Sequence, residues 1–205
     1  MAGRPRKSDL RPDSRSAILG AAAEEFAERG YDGTRMEHVA DRAGFNKALV
    51  YKHFVNREGL FEAVLDALFA KRQDVLRQLP DGVDDILVAW SRANFADPAF
   101  CKLIMREALE HRGDEPVRAA ERRDYYRGQI DRVRALQDSG ALPAGLEPKY
   151  LFLAILAVVT LPALLPQISD LVTDEATTSD AFSDGWTQFL CEFAIQLSAS
   201  GRRAG

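Results

Sequence analysis

Apolar residues return every three or four positions along most of this 205-residue chain, and no stretch alternates as a half-buried strand would. The pattern predicts an all-α protein. From Ser16, the positions Ile18, Leu19, Ala22, Ala23 and Phe26 share one helical face, and Gly30 is expected to end that helix. Thr34 heads "TRMEHVADRAG", with Glu37 three residues on, a spacing that predicts a capping box. Met36, Val39, Ala40 and Ala43 form its inner stripe, and Gly44 closes it. Asn46 then caps a helix of about two turns whose inner residues are Val50 and Phe54. Asn56 caps a long amphipathic helix running toward Pro80.

Beyond Pro80 the pattern stays helical. Helices are predicted over "DDILVAWSRANFA", "AFCKLIMREALEHRG" and "DEPVRAAERRDYYRGQIDRVRALQDSGAL", the last broken near Pro116. "EPKYLFLAILAVVTLPALLPQ" is apolar nearly all round, as a helix buried on several sides would be. Its most apolar run, residues 151–166, holds two prolines and is short for a membrane span. Residues 167–180 are rich in Ser, Thr and Asp and predict a loop before the final helix, 180–199.

Charge sharpens this picture. Residues 1–57 carry 11 Lys and Arg against 8 Asp and Glu, whereas residues 58–205 carry 16 against 23. A mildly basic head on an acidic body suits an anionic partner at the head. The basic start "MAGRPRKSDLR" leads into no apolar run, so it is not a signal peptide, and a soluble, cytoplasmic protein is expected. Cys101 and Cys191 form no CxxC and are read as free, packed thiols; no metal and no cofactor is expected. There is no glycine-rich phosphate loop, no HExxH and no GxSxG, and His111 with Glu107 and Glu110 is a weak cluster on one helix face, so an enzyme is not expected.

Two helices joined by "AGF", the second only two turns long, are the signature of a helix-turn-helix. Its outer face would carry Lys47, Ala48, Leu49, Tyr51, Lys52 and His53. The same shape occurs in proteins that do not bind DNA, and each of these side chains taken singly is an ordinary surface or half-buried residue. Together they suit a major groove better than a protein partner. The alternative is a helical adaptor that binds only protein.

"GYDGTRMEHVADRAGFNKALVYKHFVNREGLFEAVL", residues 30–65, resembles the DNA-binding region of the TetR family of transcriptional regulators. Gly30, Thr34, Ala40, Ala43, Gly44, Tyr51, His53, Phe54 and Leu60 carry the match; Ala48 departs from it, standing where glycine is commonest. The resemblance implies phosphate contacts from Thr34, Tyr51, His53 and Arg57, and base-edge contacts from Lys47, Ala48 and Leu49. Lys52 shares their outer face. Arg4 and Arg6, flanking Pro5, would track a minor groove.

Expected organisation is therefore a basic arm (1–13), a helix-turn-helix domain (14–57) and a helical effector-binding and dimerisation domain (58–200). The resemblance implies a homodimer on an inverted-repeat operator in double-stranded DNA, a repressor released by a small-molecule effector with an apolar portion. Expected pocket residues are Trp90, Phe95, Phe100, Leu103, Ile104, Arg106, Tyr125, Tyr126 and Phe152. Expected dimer contacts are Leu161, Leu164, Phe182, Trp186, Phe189, Leu190, Phe193 and Leu197, more apolar surface than one intramolecular seam needs.

Overall fold

A computed structural model describes residues 13–78, 82–110 and 115–202, so Arg4, Arg6 and His111 lie outside the described residues. The described residues form ten α-helices and no strand: α1 (Ser14–Gly33), α2 (Met36–Ala43), α3 (Lys47–His53), α4 (Arg57–Arg77), α5 (Val83–Ala96), α6 (Ala99–Glu110), α7 (Ala119–Asp138), α8 (Pro148–Leu164), α9 (Pro166–Thr173) and α10 (Asp180–Arg202). They pack as two units. Among the described residues, the head comprises 13–73 with 102–110 and 115–117, and the body 74–78, 82–101 and 118–202. The boundary between the two packing units falls inside α4 and α6.

In the head, local signals fix each turn. Asp13 accepts a hydrogen bond from the Arg15 amide, opening α1. Gly30, at φ 73°, kinks α1 instead of ending it, and a last turn continues to Gly33. Gly44, at φ 73° and ψ 28°, ends α2 in the left-handed conformation. Asn46 accepts from the Leu49 amide at 2.9 Å, and Asn56 from the Gly59 amide at 2.8 Å, capping α3 and α4. The capping box at α2 does not form. The Thr34 hydroxyl donates back to the Gly30 carbonyl at 2.7 Å, and Arg35 opens α2 without a side-chain cap. That carbonyl lies in the last turn of α1, where no further helical amide follows, which leaves it open to the hydroxyl.

Ile18, Phe26, Val39, Val50, Leu60, Phe61 and Leu103 close the head core. Phe26 and Phe61 meet edge to face with centroids 4.9 Å apart. Arg42 on α2 ties this core to α1, reaching Glu24, Glu28 and Glu25 at 3.0, 2.6 and 3.3 Å. Its hydrogen bond holds the Glu28 carboxyl below its ordinary pKa.

The body core joins Leu87 and Trp90 of α5, Val133 of α7, Phe152, Ile155 and Val159 of α8, and Leu190 and Ala194 of α10. Buried Asn94 donates to the Val159 carbonyl at 2.7 Å. Trp186 donates to the Ser91 hydroxyl at 3.0 Å. Both cysteines are free thiols.

Two expectations are corrected here, and one break is found where it was expected. Part of the expected loop 167–180 is helix: Pro166 stands in the first turn of α9, which leaves α8 at 89°. The break expected near Pro116 is present, and helix α7 begins at Ala119 after a left-handed Arg118. Helix α8 is not enclosed by its own chain. Leu151, Phe152, Ile155 and Val159 are buried, but Leu153 and Leu161 are 57% and 47% exposed.

Candidate nucleic-acid interface

Helix α3 is held from beneath by Val50 and Phe54, 0% and 5% exposed, which leaves its other side chains facing outward. Lys47, Ala48, Tyr51 and Lys52 are exposed, and Leu49 and His53 half-buried. This is the division the sequence predicts, with an apolar foot and a polar reading face.

The neighbours of these residues were less legible. The Lys47 ammonium bonds to the carboxylate of Glu37, in the first turn of α2, and lies 5.5 Å over the Tyr51 ring. The bond lowers the Glu37 pKa and raises that of Lys47. His53 Nε2 and Ser14 Oγ share a hydrogen bond of 2.9 Å, which orients the ring from α1. Neither partner stood out in the sequence: Glu37 read as part of a capping box, and Ser14 carried no signal of its own.

Two expected phosphate contacts have other partners in the free chain. Thr34 is 1% exposed and its hydroxyl is engaged with Gly30. The Arg57 guanidinium stacks 4.2 Å over the Tyr31 ring and donates to the carbonyls of Asp32 and Thr34 at 3.2 and 3.4 Å. It braces the α1–α2 corner against α4.

Two family models match this chain: "Bacterial regulatory proteins, tetR family" over residues 18–64, and "Tetracyclin repressor-like, C-terminal domain" over residues 83–187. The chain belongs to the TetR family. It is a DNA-binding regulator of transcription, and the helix-turn-helix of α2 and α3 is the family's DNA-binding element. The HTH-type transcriptional repressor SCO4008 of Streptomyces coelicolor is 28% identical over 175 residues, covering 84% of this chain and 88% of that protein. The HTH-type transcriptional activator FasR of Mycolicibacterium smegmatis is 39% identical over 75 residues, 35% of this chain and 34% of that protein. The crystal structure of the putative regulator SCO4942 from S. coelicolor shares the fold, with a TM-score of 0.73 at 23% identity over 90% of this chain and 97% of that one.

The TetR-type body does not gather the expected pocket residues into one place. Trp90 and Phe152, centroids 6.0 Å apart, line a cavity of about 30 Å³ in the body. Tyr126 packs on Phe152 and on Tyr125. Phe95 lines a second body recess of about 430 Å³, beside Ser91, Arg92, Asp180 and Trp186. Leu103 and Arg106 belong to the head, in a recess of about 210 Å³ where Arg106 donates to the Ala27 carbonyl. Phe100 and Ile104 are half-buried on α6. Of the expected dimer residues, Phe182 and Leu190 are buried in the body itself, 4% and 1% exposed. Leu161 and Phe189 are exposed; Leu164, Trp186, Phe193 and Leu197 are half-buried.

Proposed function

We propose that the protein is a dimeric repressor that reads an inverted repeat in double-stranded DNA and leaves it when a small molecule binds the body. The observation that carries the DNA reading is α3: two buried apolar anchors set Lys47, Ala48 and Tyr51 outward on a rigid, capped helix. Lys47 and Leu49 address base edges, while Tyr51, Lys52 and His53 address phosphates. Arg57 and the Thr34 amide reach phosphate from the corner they brace, and Arg4 and Arg6 extend the footprint along the minor groove.

Dimerisation rests on Leu153 and Leu161 of α8 with Phe189 and Ile195 of α10, apolar side chains that this chain leaves uncovered. A two-fold axis across that face would present two copies of α3 to two half-sites. For the effector we favour the recess beside Phe95 and Trp186, whose 430 Å³ suits a small organic molecule with both aromatic and polar groups. The 30 Å³ cavity at Trp90 and Phe152 holds little more than a water unless it opens.

Selection of bound fragments from a random duplex library tests the reading. One recovered inverted repeat supports it; asymmetric or absent enrichment from folded protein refutes it. Phe189→Glu is expected to convert dimer to monomer in sedimentation velocity and to abolish cooperative occupation of the two half-sites. An intact dimer would remove α10 from the interface.

A further inference from the structure

We propose that Glu37 is a specificity-determining residue: with Lys47 it forms a donor–acceptor dyad fitted to the major-groove edge of one G·C base pair. This rests on the DNA-binding reading above. Lysine alone is a loose reader, because a four-carbon stem must be ordered before its ammonium can discriminate. Here the ammonium is already held. It lies over the Tyr51 ring and is tethered to the Glu37 carboxylate across the space between the first turns of α2 and α3.

The pair has little to do for the fold. Its side chains are 54% and 50% exposed, and exposed ion pairs contribute little to stability. Attachment of α2 is supplied elsewhere, by Arg42 and its three glutamates. Glu37 closes no capping box, since Thr34 is turned to Gly30; its carboxylate is shared between its own backbone amide in the first turn of α2 and the Lys47 ammonium. What remains is a carboxylate held beside the first residue of the recognition helix, where base edges are met.

A carboxylate among phosphates is repelled unless it finds a donor. On the major-groove edge the cytosine amino group is that donor, and it lies next to guanine O6. Lys47 donates to guanine N7 and O6 while Glu37 accepts from cytosine N4 of the same pair. An A·T pair offers the lysine one acceptor fewer, and its thymine O4 faces the carboxylate with like polarity. Glu37 thus orders the lysine and adds a contact of its own. It also weakens binding to DNA that lacks the matching pair.

The test compares full-length wild type, Glu37→Gln and Lys47→Ala in selection from the random duplex library, followed by titration on the selected operator and on a random duplex. Glu37→Gln is expected to lose about tenfold of the G·C preference at one position per half-site, within the range for one base-edge contact. Lys47→Ala is expected to lose discrimination at that same position. Affinity of Glu37→Gln for the random duplex should rise roughly threefold, because one anion facing the phosphates is gone. A Glu37→Gln profile identical to wild type at every position would overturn the dyad. So would losses at different positions in the two variants. No motif from wild type would overturn the DNA-binding reading itself, and the dyad with it.

Discussion

The head and the body finish their cores to different degrees. Among the described residues, the most exposed large apolar side chains include only Tyr51, Val55 and Leu109 on the head. The body shows nine, among them Leu153, Leu161, Ile168, Leu171, Val172, Phe189 and Ile195. Tyr51 lies on the outer face of α3. The head thus satisfies its own apolar residues and presents polar groups, while the body leaves apolar work for something else to complete. A module that meets a polar, charged duplex needs the first arrangement; one that meets a copy of itself needs the second.

Substitutions at the two cores sharpen this contrast. Phe26→Ala should have the largest effect, costing about 3–5 kcal/mol, because a fully buried ring leaves a cavity against Phe61 and Tyr31. Thermal melts that did not change with protein concentration in size of loss would place that cost in the head alone. Asn94→Ala comes next, at about 1–3 kcal/mol, since the Val159 carbonyl loses a buried donor. If dimerisation orders the body, this loss should shrink as protein concentration rises; a constant loss would weaken the contrast.

The smallest effect is electrostatic. Glu28 has its pKa held below the ordinary 4.5 by Arg42, so their pair adds stability above that pH and loses it as pH falls through the lowered value. Arg42→Gln should therefore flatten the acid side of the stability curve, measured by melts from about pH 3 to 6. An unchanged acid slope would show that Arg42 holds α2 by packing, not by charge.

The helix-turn-helix was legible because its signals are local. Gly44, Asn46 and Asn56 each act on a backbone group a few residues away, and each is found where its spacing says. Thr34 and Glu37 show the limit of such reasoning. The spacing of a capping box is present, but the kink at Gly30 offers the hydroxyl a nearer carbonyl, and Lys47 offers the carboxylate a cation. In α10 the broad apolar face is obvious in sequence, yet its split is not. Phe182 and Leu190 turn inward and Phe189 outward, as set by where α5 lies against the helix. The pocket was the least legible, because its residues converge only through contacts between distant helices. Trp90, Phe95 and Leu103 fall in three separate recesses although they lie within fourteen positions of one another.

The hydrogen bond from Trp186 to Ser91 has a spectroscopic meaning. The chain has two tryptophans, Trp90 and Trp186, and both belong to the body. Tryptophan emission therefore originates only in the body. Trp90 is buried and is expected to emit toward the blue, while Trp186 lines the 430 Å³ recess with its indole N–H engaged. A molecule entering that recess should quench or shift one of two emitters and leave the other as an internal standard, so the protein carries its own optical gauge of occupancy.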